Sequence, residues 1–294
     1  MLKKYMEGIY LINKPLDISS YDCIRHFKKY YTGKIGHAGT LDPFAGGLLI
    51  ILLGKAVKLT NQFINLPKTY QGEIALGTAT TTYDKTGEVT ASLKEFTLTE
   101  DDLKKAMKLF QGDIKQTPPI YSALKVKGKK LYQYARRGED VVIKERAAHI
   151  ASFFPTTKIE NQHFSFQAEV SKGTYIRALA HDLGVELKIP MHLKELTRIK
   201  IGDFSLKDAY QLKEIKESVK ATFSLEDYLK IYPKITVTDK IVRQIYHGSY
   251  LDERFFQENS PFLVYNEAGK LIAYYEPKGN NYKPIIVWRE NESN

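Results

Sequence analysis

A single cysteine, Cys23, stands in a chain of 294 residues. It leaves no partner for a disulfide within the chain and excludes a zinc site built on cysteines. A lone thiol fits the reducing interior of a cell, so a cytoplasmic location is expected. Long apolar runs are also missing. The longest aliphatic stretch, Leu48 to Leu53, falls far short of the ~20 residues a membrane-spanning helix needs. The start, MLKKYMEGIYLINKP, is too broken by Lys, Glu and Asn to read as a signal peptide. There is no internal repeat and no low-complexity tract. Negative charge is in short supply too: 34 Asp+Glu face 44 Lys+Arg, a formal net charge of +10. Such an excess favours a polyanionic partner, because each phosphate neutralised by Lys or Arg releases condensed counterions. It does not say which polyanion.

What is present is tyrosine, 20 residues of it. A Tyr ring can stack a splayed nucleobase, although half-buried strand positions account for most tyrosines in a protein of this kind. The hydrophobic fraction, 43%, suffices for a packed core, and the length suits one large domain with a small one beside it. Ile9 to Ile12 reads as a buried strand closed by Asn13-Lys14-Pro15. Ser19 or Ser20 then caps a helix carrying Ile24, Phe27 and Tyr31. Lys68 to Gly77 alternates as a strand, with Tyr70, Gly72, Ile74 and Leu76 on one face. Thr99 caps a helix that stops at Gly112. Phe164 to Ser171 is a second alternating strand, followed by a helix near Thr174 to Leu183. Strands and helices mix without a βαβ rhythm, so the expected class is α+β. Ser122 to Arg146 is rich in Lys and Arg, with Tyr121, Tyr132 and Tyr134 among them; it reads as a basic, aromatic projection for RNA or as a solvated charged hairpin. From about residue 231 short strands with Gly-containing turns indicate a small β domain.

Gly36 to Gly47 is expected to be a stiff, irregular loop. Its glycines free the backbone, and Pro43 forces Asp42 into an extended conformation. A carboxylate held on such a loop more often serves a site than a fold. A phosphate-binding P-loop is excluded, since six residues separate Gly47 from Gly54-Lys55 where four are required, and Ala56 replaces the metal-binding hydroxyl. Two readings stay open on the residues alone: a structural turn capped by Asp42, or a nucleophilic carboxylate.

The segment Gly36-His37-x-Gly39-Thr40-Leu41-Asp42-Pro43-x-Ala45-x-Gly47 resembles the signature of the TruB-type pseudouridine synthases. The resemblance continues through Lys14-Pro15, Lys68-x-Tyr70, Thr80-x-Thr82-x-Asp84-x-x-Gly87 and Thr117-Pro118-Pro119-x-Tyr121-Ser122-Ala123-Leu124-Lys125. It ends with Lys172-Gly173-Thr174-Tyr175-Ile176-Arg177 and Leu196-Thr197-Arg198, so it spans roughly residues 8 to 210. Val57 and Thr81 depart from the family's usual Thr and Asp, at positions the family does not use for catalysis.

That resemblance implies a pseudouridine synthase fold, a mixed and mainly antiparallel sheet with flanking helices over residues 1–230, with the basic RNA-binding insertion at about 120–150. A PUA-like β-barrel over 231–294 would bind the acceptor end of tRNA. It also implies the reaction: a uridine in the T arm of tRNA, conventionally position 55, is flipped out, detached, rotated and rejoined through carbon 5. No guide RNA, cofactor or metal takes part, and the enzyme acts as a monomer. Asp42 matches the family's catalytic aspartate and Arg177 its ion-pair partner. Tyr70 matches the tyrosine that packs on the base and is a candidate for proton transfer, while His37 matches the residue that fills the space the base vacates. Tyr175, Leu196 and Lys14 complete the implied substrate-binding set. The rival expectation is a tRNA-binding or tRNA-folding module on the same fold without turnover.

Overall fold

Eight consecutive residues, Gly46–Leu53, are buried and form one strand at the centre of the protein. Their uniform apolarity has a packing cause. Leu48, Ile50 and Leu52 enter one hydrophobic cluster and Leu49, Ile51 and Leu53 another, so both faces of the strand are covered. In the computed structural model, which describes residues 7–289, this strand belongs to a ten-stranded sheet. The sheet runs in the order Tyr210–Gln211, Gly8–Lys14, Gly46–Leu53, Met191–Ile201, Lys68–Leu76, His163–Val170, Arg146–Pro155, Gly112–Gln116. The short strands Ile35–Ala38 and Phe204–Ser205 attach beside this path. Pairing is antiparallel except between Gly8–Lys14 and Tyr210–Gln211 and between Gly46–Leu53 and Met191–Ile201.

The sheet forks along the central strand. One edge of Gly46–Leu53 pairs throughout with Gly8–Lys14. The other edge is shared: Gly46 and Gly47 pair with Thr197 and Arg198, whereas Ile50 to Leu53 pair with Ala38 to Ile35. Gly47 makes the first pairing possible. Its φ is +100°, and a Cβ there would lie 2.4 Å from the Arg198 carbonyl oxygen, so only glycine fits.

Three packed regions cover the sheet. Helices Glu100–Leu109 and Ile176–Leu187 bury Leu103, Met107, Leu179 and Leu183 against Ile74, Phe164 and Phe166. Helix Ser20–Lys28 sets Cys23, Ile24 and Phe27 on Tyr10, Ile12 and Ile51. It starts at a capping box, in which Ser19 Oγ accepts from Asp22 N while Ser19 N donates to Asp22 Oδ2 at 2.9 Å. The third cover is the C-terminal five-stranded sheet, ordered Lys234–Val237, Phe262–Asn266, Leu271–Lys278, Asn281–Val287, Leu251–Asp252. Its Leu263, Tyr274 and Ile286 share one cluster with Ile9, Leu11, Leu48, Ile50 and Leu52.

Two expected elements have different limits. The loop is shorter than Gly36 to Gly47, because Ile35–Ala38 zips onto the free edge at the fork. The helix expected near Thr174 to Leu183 occupies Ile176–Leu187 and ends at Lys188 in the left-handed conformation, φ 55°. Gly184 does not stop it. A Cβ there would meet the Ile189 carbonyl oxygen at 2.8 Å, so this glycine serves a close helix-to-strand approach. Among the described residues no helix is long and apolar enough to cross a membrane.

Candidate active site

The loop left between Ala38 and Gly46 sits at the fork, held from below by side chains reaching its backbone. Ser20 Oγ accepts from Leu41 N at 2.9 Å and donates to Leu41 O at 3.1 Å. Arg198, 1% exposed, donates from Nε to Leu48 O at 2.7 Å and from Nη2 to Gly39 O at 3.0 Å. Lys14 is fully buried, and its ammonium donates to the carbonyls of Pro15, Ile18 and Pro43 at 2.8, 2.7 and 3.3 Å. Leu41, Phe44 and Ala45 anchor the loop in the core, beside Tyr70, Ile176 and Leu196. Asp42, half-buried, is left to project from between these anchors.

Asp42 Oδ2 lies 2.8 Å from Nε of Arg177, in a contact without an aligned N–H. Arg177 is the second residue of the Ile176–Leu187 helix and is 4% exposed. Its guanidinium also donates from Nη1 to Thr82 O and from Nη2 to Tyr121 O, both at 3.0 Å. A second carboxylate completes the group: Asp84 Oδ2 stands 3.2 Å from Arg177 Nη1. Asp84 is buried, and its Oδ1 accepts from Thr82 Oγ1 at 2.7 Å and from Thr86 N at 2.9 Å. One guanidinium thus faces two carboxylates, only one of which is open to a ligand. Burial pushes the Asp42 carboxyl above its ordinary range; Arg177 opposes that rise, and the Asp84 charge adds to it.

The remaining expected residues fall around this pair. Tyr70, 8% exposed, lies on the Lys68–Leu76 strand directly opposite Arg198. Leu196, on the neighbouring strand, pairs with Gly72 and packs in the same cluster. Tyr175 is half-buried at the helix entry; its N donates to Gln116 Oε1 at 2.8 Å and its carbonyl accepts from Gln116 Nε2 at 3.1 Å. His37 stands in the Ile35–Ala38 strand before the loop, with Nδ1 buried and unpartnered among the described residues. Burial and the nearby Arg198 charge lower its pKa, so it is neutral at physiological pH. Lys14, expected among the substrate contacts, offers a ligand no surface and grips the loop from behind. Asp84, Arg198, Ser20 and Gln116 carry roles that the motifs containing some of them did not disclose. A Thr-rich turn around an acid was the one available signal for Asp84.

The basic segment is folded. Strands Lys125–Val126 and Lys129–Lys130 form a small hairpin leading into helix Leu131–Arg137, which buries Leu131 and Tyr134. Lys130 and Arg136 both lie over the Tyr132 ring, and Lys129 over Tyr134. These contacts hold cations, Lys129 and Arg136 exposed and Lys130 half-buried, on aromatic faces.

Solved structures share this fold. An H/ACA RNP bound to a substrate RNA containing 2'-deoxyuridine matches with a TM-score of 0.66 at 20% identity, over 99% of this chain and 87% of that one. A Cbf5-Nop10-Gar1 complex also matches at 0.66 and 20% identity, over 98% and 86%. Residues 27–176 match the TruB family pseudouridylate synthase (N terminal domain). Together with this family match, the likeness to those structures makes the mixed sheet the pseudouridine synthase fold, and the C-terminal sheet accords with a PUA-like domain. Proteins named tRNA pseudouridine synthase B are similar along nearly their whole length. The one from Acholeplasma laidlawii is 41% identical over 95% of this chain and 98% of its own, and that from Bacillus cytotoxicus 37% over 98% and 99%. The chain belongs to the TruB family of pseudouridylate synthases, and is an enzyme.

Proposed function

We propose that this enzyme converts the uridine at position 55, in the T arm of tRNA, to pseudouridine, with Asp42 as nucleophile. The observation that carries the reading is the Asp42–Arg177 contact of 2.8 Å on a loop clamped by Ser20, Arg198 and Lys14. Held this way, the carboxylate needs little reorganisation when the substrate arrives. The tRNA substrate is supported by the names of the relatives that match at 37–41% identity. In this reading the enzyme acts as a monomer in the cytoplasm without a guide RNA.

A base inside the stacked arm must first be flipped out, at ~2–4 kcal/mol. His37, neutral and with a free ring nitrogen, suits the space the base leaves. The flipped uracil then lies against Tyr70, Tyr175 and Leu196, which supply a flat, largely apolar pocket. Asp42 attacks as its carboxylate, forming one carbon–oxygen bond while the glycosidic bond breaks and its electrons pass to the uracil. The freed ring turns and forms the new bond through carbon 5. The bond to Asp42 breaks as that bond forms, its electrons returning to the carboxylate; the proton at carbon 5 then leaves, and the nitrogen freed from the ribose takes one up. Tyr70 is the candidate carrier for the departing proton. Uracil stays in the pocket and no redox change occurs, so no cofactor is required by the balance. Catalysis is assigned to residues 1–230, the basic segment to the T arm, and the sheet after residue 230 to the acceptor end.

The test is tritium release from tRNA labelled at uracil carbon 5. The wild type should release label, whereas Asp42→Asn, or a transcript with cytidine at position 55, should release none. Tight tRNA binding without release by the wild type would leave a binding protein on this fold.

A further inference from the structure

Arg177 is aimed by groups outside its own helix, and one of them has no role in the mechanism just described. Gln116 closes the Gly112–Gln116 strand and is 3% exposed. Both ends of its amide bond to one residue: Nε2 donates to Tyr175 O at 3.1 Å and Oε1 accepts from Tyr175 N at 2.8 Å. A side chain here makes the paired bonds a neighbouring strand would make. Tyr175 is the N-cap of the Ile176–Leu187 helix and forms no side-chain cap, so the orientation of its peptide is set by Gln116. Arg177 follows two residues later.

Gln116 is also the root of the basic segment. It pairs across the sheet with Arg146, so the two ends of the projection meet at this point. Five residues past Gln116, the Tyr121 carbonyl accepts from Arg177 Nη2 at 3.0 Å. The projection is therefore tied to the catalytic arginine twice, through Tyr121 directly and through the Gln116 clamp on Tyr175. A shift at its root tilts the helix entry and moves the guanidinium relative to Asp42.

We propose that Gln116 is a positioning residue, coupling the base of the RNA-facing projection to the geometry of the Arg177–Asp42 pair. The inference rests on the catalytic reading above. It assigns Gln116 no contact with substrate; its effect passes through Tyr175 and Arg177. Loosening the clamp should weaken the hold of Arg177 on Asp42, slow the chemical step and let the Asp42 carboxyl titrate at higher pH.

The experiment compares the wild type, Gln116→Met and Gln116→Glu in single-turnover tritium release, with tRNA binding and thermal unfolding measured on the same samples. Met keeps the volume and removes both bonds. Glu keeps the acceptor for Tyr175 N and loses the donor to Tyr175 O. The expected result is a rate lowered about tenfold or more with Kd for tRNA changed less than about twofold, as for a misplaced rather than missing group. The acid limb of the pH–rate profile should move up, more in Met than in Glu. A folded Gln116→Met enzyme with wild-type rate and an unmoved acid limb would overturn the proposal. So would a rate loss that merely follows the unfolded fraction with the limb in place. Absence of release by the wild type would instead sink the catalytic reading, and this one with it.

Discussion

At Asp42, reactivity and stability pull in opposite directions. The carboxyl is raised by burial, so the folded protein keeps its proton to higher pH than the unfolded chain does. Ionising it then costs stability at pH above its folded value, a cost relieved as pH falls toward the ordinary carboxylate range. Asp42→Asn should therefore raise the melting temperature at pH 7 to 8, with the gap to wild type narrowing toward about pH 4, while activity falls by ~10³-fold or more. Calorimetry and tritium release on the same preparations check both. A second buried carboxyl, on the Ile176–Leu187 helix, offers a comparison. Burial pushes the Asp182 carboxyl up to about 6. Asp182→Asn should stabilise at pH 7, and the gain should shrink as pH falls from about 6 to about 4. With Asp42 as the proposed nucleophile, its ionisation should set an acid limb on kcat above the range of a free aspartate; a limb at or below it would contradict the burial effect.

At the scale of elements, the loop is held by side chains from the helix and strands around it. Arg198→Met would leave the carbonyls of Gly39 and Leu48 without donors inside the protein, at ~1–3 kcal/mol each. It should lower Tm and also reduce turnover more than tRNA affinity, because the group it misplaces is Asp42. Thermal melts with single-turnover assays distinguish this from simple unfolding. The strands around Tyr70 and Phe164 were legible from alternation, that at Ile9 from its apolar run, and the helices from their Ser19 and Thr99 caps. Asp42 and Arg177 were legible only because their flanking motifs resemble a known family. What stayed hidden depends on tertiary geometry. Nothing local marks Ile35–Ala38 as a strand, since the edge it needs exists only once the sheet forks. Lys14 and Arg198 look like ordinary surface cations until the fold wraps backbone carbonyls around them. Gln116 is a polar residue in a short strand, and its partner lies 59 positions away.

At the scale of the molecule, charge and packing lead to separate expectations. With a net charge of +10 and cations gathered on the projection, tRNA affinity should fall steeply with salt. Removing Lys129 and Lys130 together should flatten the dependence of log Kd on log salt by about one for each phosphate no longer neutralised. Filter binding over a salt series measures it, and an unchanged slope would move the RNA elsewhere. The C-terminal sheet packs on the larger one: Leu263, Tyr274 and Ile286 complete the cluster that covers Leu48, Ile50 and Leu52. A chain ending at residue 230 should accordingly melt well below the full protein or aggregate on expression, in contrast to a tail that could be trimmed.

The central strand also bears on how the chain avoids folding wrongly. Because hydrocarbon covers both of its faces, sliding Gly46–Leu53 by one residue would bury nearly as much apolar surface as the native register. Hydrophobicity cannot detect that error. Gly47 detects it in one direction: the slip that brings Leu48 against Arg198 would set a Cβ 2.4 Å from the carbonyl oxygen. Steric exclusion at one glycine thus proofreads the alignment of the strand that delivers Asp42.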